Sequence, residues 1–145
     1  MLHRLLIYRS EILFTKVIMP DLLFQPLTIR HVTFRNRFMS TSHACGLEEG
    51  GLPKERYQRY HEEKAKGGIG LTMFGGSSNV APDSPSVFQQ LYVGDDEVIP
   101  YLQQFSERVH RHGTAIMCQI THLGRRGEPY QGHWLPTIGP SAIRE

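Results

Sequence analysis

Lys66-Gly67-Gly68-Ile69-Gly70-Leu71-Thr72-Met73-Phe74-Gly75-Gly76 changes its period in the middle. Helix formers run from Lys54 to Lys66 and stop at two glycines, and an apolar strand, Ile69 to Phe74, begins at once. Pro53 suits the first turn of that helix. Tyr57, Tyr60 and Lys64 share one of its faces, where the stem of Lys64 is able to lie along apolar surface. After the strand, Gly75-Gly76-Ser77-Ser78 is a loop-like run that lets backbone approach another group closely.

The same punctuation repeats on both sides. Upstream, Arg37 to Ser42 reads as a strand running into a loop with Gly46, Gly50 and Gly51. Before it, Leu27-Thr28-Ile29 and Val32-Thr33-Phe34 flank Arg30-His31 as a small hairpin or extended turn. Downstream, a polar, proline-containing connection from Asn79 to Gly94 leads to a helix entered at Asp95, Asp96 and Glu97. Val98, Leu102, Phe105 and Val109 recur at helical spacing, Gly113 stops the helix, and Thr114 to Ile120 forms a third strand. Strand, helix, strand, helix, strand, with strands apolar enough for burial on both faces, predicts an α/β fold with a parallel, helix-covered sheet. Ligands of such sheets and barrels sit at the carboxyl ends of the strands, so functional residues are expected just after Ser42, Phe74 and Ile120.

Composition narrows the function. The 145 residues permit one domain or a piece of a larger one. Sixteen Lys and Arg against fourteen Asp and Glu give +2, with the basic residues spread, which leaves no electrostatic footprint for nucleic acid. No run reaches the roughly 20 apolar residues a membrane span needs. Two cysteines, Cys45 and Cys118, make no disulfide framework, which suits a cytoplasmic chain. Residues 1–21 read as an N-terminal extension ahead of a domain over 22–145. Arg4, Arg9 and Lys16 against Glu11 leave open a targeting segment or a non-native extension whose true start is Met19, although neither a mitochondrial nor a secretory pattern fits well.

At the three strand ends the chain resembles a known family. Asn36-Arg37-Phe38, Gly75-Gly76 and Gln119-Ile120-Thr121-His122-Leu123-Gly124-Arg125, preceded by Leu23-Phe24-Gln25-Pro26-Leu27, are similar to the FMN-dependent old yellow enzyme (NADH:flavin oxidoreductase) family. Ser42-His43-Ala44-Cys45-Gly46-Leu47-Glu48-Glu49 and Lys66-Gly67-Gly68 resemble the branch of 2,4-dienoyl-CoA reductase and trimethylamine dehydrogenase. The resemblance implies the first βα units of a (β/α)8 TIM barrel, a fold of about 250 residues that is incomplete in this chain. It implies FMN as cofactor, NAD(P)H as an electron donor, and hydride transfer through flavin N5 to or from a small organic substrate. The flavin phosphate site and the catalytic groups would lie on later strands, so the catalytic residues are unassigned and the fragment alone is expected to be inactive. An iron–sulfur cluster would belong only to a longer, full-length protein, which the resemblance also leaves room to be a homo-oligomer.

The resemblance also implies site residues. A side-chain amide both donates and accepts, so Gln119 can match the pyrimidine edge of the flavin; the alternative is a bond to a neighbouring strand's backbone. Ser42, His43 and Ala44 resemble the segment whose backbone runs beside N5. The His43 side chain would either tune the flavin or merely pack at the strand end. Ala44 stands at the position of the flavin-linking cysteine of trimethylamine dehydrogenase, with Cys45 one residue out of register, so covalent attachment is not expected. Gly75 resembles the residue at which the second strand passes close to the flavin, or else opens a loop. His122 and Arg125 belong to the family motif and are expected to orient rather than react.

The remaining chemistry is plainer. Eight histidines invite a metal, but neither cysteine joins them at a zinc spacing, so no metal is expected; His110 and His112 would complement a helix dipole. Tyr57 and Tyr60 read as packing residues and Cys118 as a small buried hydrophobe. A truncated, non-catalytic fragment acting as an interaction module, or a pseudogene product, is the alternative function. An unrelated phosphate-binding α/β protein is disfavoured, because neither Gly-rich nucleotide loop is present.

Overall fold

The computed structural model describes residues 21–84, 89–124 and 138–141. A 3-10 turn, Leu22–Phe24, is capped by the Asp21 carboxylate, which accepts from Leu23 N–H at 3.0 Å. It is followed by an antiparallel hairpin of β1 (Leu27–Ile29) and β2 (Val32–Phe34). The rest is a parallel sheet in the order β3 (Met39–Ser40), β4 (Leu71–Asn79), β5 (Ala115–Thr121). Helix α1 (Glu55–Lys66) joins β3 to β4, and α2 (Ile99–His110) joins β4 to β5. These are the two strand-helix-strand crossovers read from the sequence.

Asn36 starts the sheet. Its Nδ2 donates to Gly68 O at 2.7 Å and its Oδ1 accepts from Phe38 N–H at 3.2 Å, while Phe38 O receives Gly70 N–H and Leu71 N–H. One side-chain amide thus sets β3 beside the turn that ends α1. The two helices pack against each other and against the sheet. Tyr57 and Ala65 of α1, Phe74 of β4, Leu91, and Phe105 and Val109 of α2 form the core, so the predicted spacing through Val98, Phe105 and Val109 does face inward. Arg108 bridges the helices at 2.7 Å to Glu55 and 3.1 Å to Glu62.

Several boundaries differ from the sequence reading, each for a physical reason. β3 covers only Met39–Ser40; beyond it the chain leaves the ladder, and side chains make its bonds, Ser42 to Gln119 of β5 and His43 to Tyr60 of α1. β4 continues through Gly75–Ser78, which composition alone marks as loop. The second helix begins with a 3-10 turn, Asp96–Val98, whose cap Asp95 accepts from Glu97 N–H at 3.0 Å. His112 does more than face the end of α2, since its Nε2 lies 3.3 Å from Glu62 on α1. Burial on both faces holds for the central strand β4, where the successive residues Leu71 and Thr72 are both buried, and fails on the flanking strands, where Met39 (50%), Met117 (46%) and Ile120 (65%) stay exposed. Cys118 is half-buried against the core instead of enclosed by it.

Candidate functional site

The ends of the three parallel strands meet at a bulge in β4. Phe74 pairs with Cys118 and Ser78 with Ile120, so β4 holds two residues more than β5 between these pairs. Gly75, Gly76 and Ser77 absorb them with φ of 108°, 54° and 86°. Such angles are open to glycine and strain Ser77. A Cβ on Gly75 would come within 2.7 Å of Gln119 O, and one on Gly76 would run into the His43–Ala44 peptide. Glycine is therefore demanded here by the packing of the two flanking strands' backbones against the bulge.

Ser42 and Gln119 close over this bulge. Ser42 Oγ–H donates to Gln119 Oε1, joining the segment after β3 to β5, two strands that flank β4 without pairing. Gln119 is exposed, and among the described residues nothing accepts from its Nε2, so the amide presents a donor to the surface at the strand ends. The bond that Gln119 makes through Oε1 goes to a side chain, not to a neighbouring strand's backbone.

His43 is engaged at both ring nitrogens. Its Nδ1 lies 3.3 Å from Thr41 O and its Nε2 2.7 Å from Tyr60 Oη. A carbonyl only accepts, so Nδ1 carries the proton and Nε2 accepts from the phenol. The Lys64 ammonium sits 4.2 Å from the centre of the Tyr60 ring and donates to Ser40 Oγ at 3.0 Å. Ala44 is exposed, and its backbone lies against Gly76.

His122 is a clasp between β5 and the connection that follows β4. Its Nδ1 accepts from Gly124 N–H at 3.0 Å, which leaves the proton on Nε2, 3.2 Å from Asp83 Oδ1. Beside it, Leu123 N–H donates to Ser84 Oγ at 3.0 Å, and Ser84 Oγ–H to Asn79 Oδ1 at 3.1 Å. Ser84 and Asn79 also line a cavity of about 650 Å³ with Glu48, Gly51 and Tyr92. Arg125 lies outside the described residues.

Tyr57 was read from the sequence as packing, and its hydroxyl proves to matter. It is 1% exposed and accepts Gly75 N–H at 3.0 Å, and burial pushes its phenol well above the ordinary range. Next to it, His61 is buried among Tyr57, Phe74 and Phe105, with Nδ1 2.8 Å from Thr72 Oγ1. Burial, helped by Lys64 and His43, holds its pKa down to about 3, so the ring is neutral at physiological pH. Burial likewise pushes the Cys45 and Cys118 thiols up, which argues against either as a thiolate nucleophile. Among the described residues, no group of three His, Cys, Asp or Glu side chains is placed to hold a metal ion, and no helix is long and apolar enough to cross a membrane.

Residues 22–142 match the NADH:flavin oxidoreductase / NADH oxidase family. The chain belongs to that family. It is 61% identical over 125 residues to a multifunctional alkene reductase/demethylase of Caballeronia cordobensis, a match over 86% of this chain and 18% of that protein. It is 46% identical over 125 residues to a probable N-methylproline demethylase of Rhizobium meliloti (strain 1021), with the same coverage of 86% and 18%. The chain thus spans less than a fifth of the length of these curated relatives. Among solved structures, a morphinone reductase superposes with a TM-score of 0.72 at 22% identity, over 84% of this chain and 32% of that one. The likeness fixes the fold as βα units of the family's TIM barrel, incomplete in this chain. The family membership agrees with the resemblance read from the strand-end motifs, whereas the relatives described above bear names of alkene reduction and demethylation, not of the dienoyl-CoA reductase branch.

Proposed function

We propose that this chain supplies flavin-facing strand ends of an FMN-dependent oxidoreductase acting on a small organic substrate. The observation that carries the reading is the Gln119 amide, held through its oxygen by Ser42 with its nitrogen directed to no described residue. FMN, when bound, supplies hydride transfer at N5, with NAD(P)H or the substrate itself as the donor. The donor set here fits the carbonyl-bearing edge of such a ring, because Gln119 Nε2 offers a fixed N–H and no competing charge. Ser42, His43 and Ala44 would lie along the ring through their backbone, kept in register by Gly75 and Gly76. His122 would hold the end of β5 in place through Asp83, with Arg125 following it in the motif.

The names of the two relatives support an N-methylated amine or an activated alkene as the substrate class. A cavity of about 650 Å³ beside the strand ends is of the size small-molecule sites have. The two cysteines, too few for a disulfide framework, suit a cytoplasmic enzyme. The exposed Met39, Met117 and Ile120 favour a second reading, in which the chain alone is inactive and serves as an interaction module for further βα units.

The test is a chimera in which residues 22–142 replace the matching segment of the Caballeronia cordobensis relative. The reading expects the purified chimera to carry FMN, seen in its absorbance, and to be reduced by NAD(P)H or by an N-methylated amine. A folded chimera that excludes FMN, while the parent relative holds it, would sink the proposal.

A further inference from the structure

The two tyrosines that α1 turns toward the strand ends do not only pack. Tyr57 accepts the Gly75 amide at 3.0 Å, and Tyr60, one turn later, meets His43 Nε2 at 2.7 Å. Gly75 opens the bulge of β4, and His43 lies in the segment that follows β3. These two segments touch, since the space beside Gly76 is filled by the His43–Ala44 peptide. One helix therefore grips both sides of a contact that its own sequence position, 17 and 18 residues away, does not dictate.

From this we infer that Tyr57 and Tyr60 are positioning residues, a two-point phenol brace on α1 that sets the spacing between the bulge at Gly75–Ser77 and the backbone at 42–44. Neither hydroxyl is a proton donor to substrate in this arrangement. Tyr57 is 1% exposed, so its O–H lies in the core out of a substrate's reach, and the Tyr60 proton is directed at a histidine that is itself tied to Thr41 O. The backbone strain sits at Ser77, a non-glycine residue with φ of 86°, which holds its shape only where the surroundings over-determine it. The phenol-to-amide bond is one such surrounding constraint, and the Tyr60 grip on His43 is another. Lys64 steadies the second point, with its ammonium over the Tyr60 ring and its N–H on Ser40. The consequence for a cofactor rests on the flavin reading above, but the brace itself does not.

Two measurements separate the parts. Hydrogen exchange on this chain should show the Gly75 amide exchanging at least tenfold faster in Tyr57→Phe, with α2 amides within twofold of wild type. In Tyr60→Phe, the ¹⁵N signals of the His43 ring should move from the Nδ1–H tautomer pattern toward a mixture, again with α2 unchanged. Phe keeps the ring that packs, so a loss confined to these segments reports the hydroxyl. Unchanged exchange at Gly75 together with an unchanged His43 tautomer would overturn the brace, whatever the cofactor. In the FMN-loaded chimera, each variant should weaken FMN at least fivefold and shift the flavin's visible absorbance band and reduction potential, while Arg59→Ala, exposed on the same helix, should do neither. Wild-type affinity, spectrum and potential in both variants would overturn the positioning role. A wild-type chimera without FMN would instead count against the flavin reading and leave the exchange result to decide the brace.

Discussion

Ser42, two residues past the end of β3, and Gln119 of β5 are joined by a hydrogen bond, although β3 and β5 flank β4 and do not pair with each other. Beside it β4 bulges at Gly75, where an added Cβ would fall within 2.7 Å of the backbone oxygen of Gln119. Ser42→Ala should release the Gln119 amide to rotate without disturbing the fold. A neutral hydrogen bond of this kind is worth about 1 kcal/mol, so FMN affinity in the chimera is expected to fall by roughly fivefold. Fluorescence titration of the variant beside wild type checks it, and an unchanged melting temperature would show that the loss is local.

Acid should destabilise the chain before its carboxylates begin to titrate. His61 has an ordinary value of 6.5 and is held at about 3 in the folded protein by burial. The unfolded chain therefore binds this proton first. Stability is fully present above about pH 6.5 and declines as pH falls toward 3, at a limiting slope of about 1.4 kcal/mol per pH unit. Urea midpoints measured from pH 7.5 to 5 should fall, and His61→Gln, whose amide does not titrate, should flatten that part of the profile. A wild-type profile that stays level through the window would contradict the assignment.

The bulge predicts an ordering of glycine substitutions. Gly46 has φ of 66° but nothing within 4 Å of an added Cβ, so Gly46→Ala bears only the left-handed backbone cost of about 1–2 kcal/mol. Gly76→Ala bears the same backbone cost and also drives a methyl into the His43–Ala44 peptide. Its destabilisation should exceed that of Gly46→Ala by at least about 1 kcal/mol, the usual scale of overpacking. Thermal melts of the two variants side by side decide it.

How much of this was legible beforehand follows from the range of each interaction. The crossovers were readable because Gly67-Gly68 and Gly113 end helices directly before apolar runs, a purely local signal. The apolar positions Val98, Phe105 and Val109 were readable for the same reason. The bulge was not, since Gly75-Gly76-Ser77-Ser78 has the composition of a loop and only the register against Cys118 and Ile120 makes it strand. Ser42 and Gln119 were each singled out, but nothing local foretold that they bond, because 77 residues separate them. Tyr57 and Tyr60 were placed on one helix face correctly, and their hydroxyl partners were missed because Gly75 and His43 come from two different strand ends. Asp83, the partner of His122, carried no signal at all, lying 39 residues upstream in an irregular connection.

The account leans most on Gln119, and one comparison tests it. If Gln119 faces the flavin as proposed, Gln119→Ala in the FMN-loaded chimera removes an N–H from beside a ring edge that gains negative charge on reduction. A hydrogen bond to a charged group is worth about 1.5–3 kcal/mol against about 1 for a neutral pair, so the reduced flavin loses more than the oxidised one. Measuring FMN affinity and reduction potential together should give a weaker constant and a lower potential for Gln119→Ala, with Cys118→Ala next door close to wild type in both. If Gln119→Ala kept the wild-type affinity and potential, Gln119 would be a structural strand end and the flavin-facing assignment of this site would be contradicted.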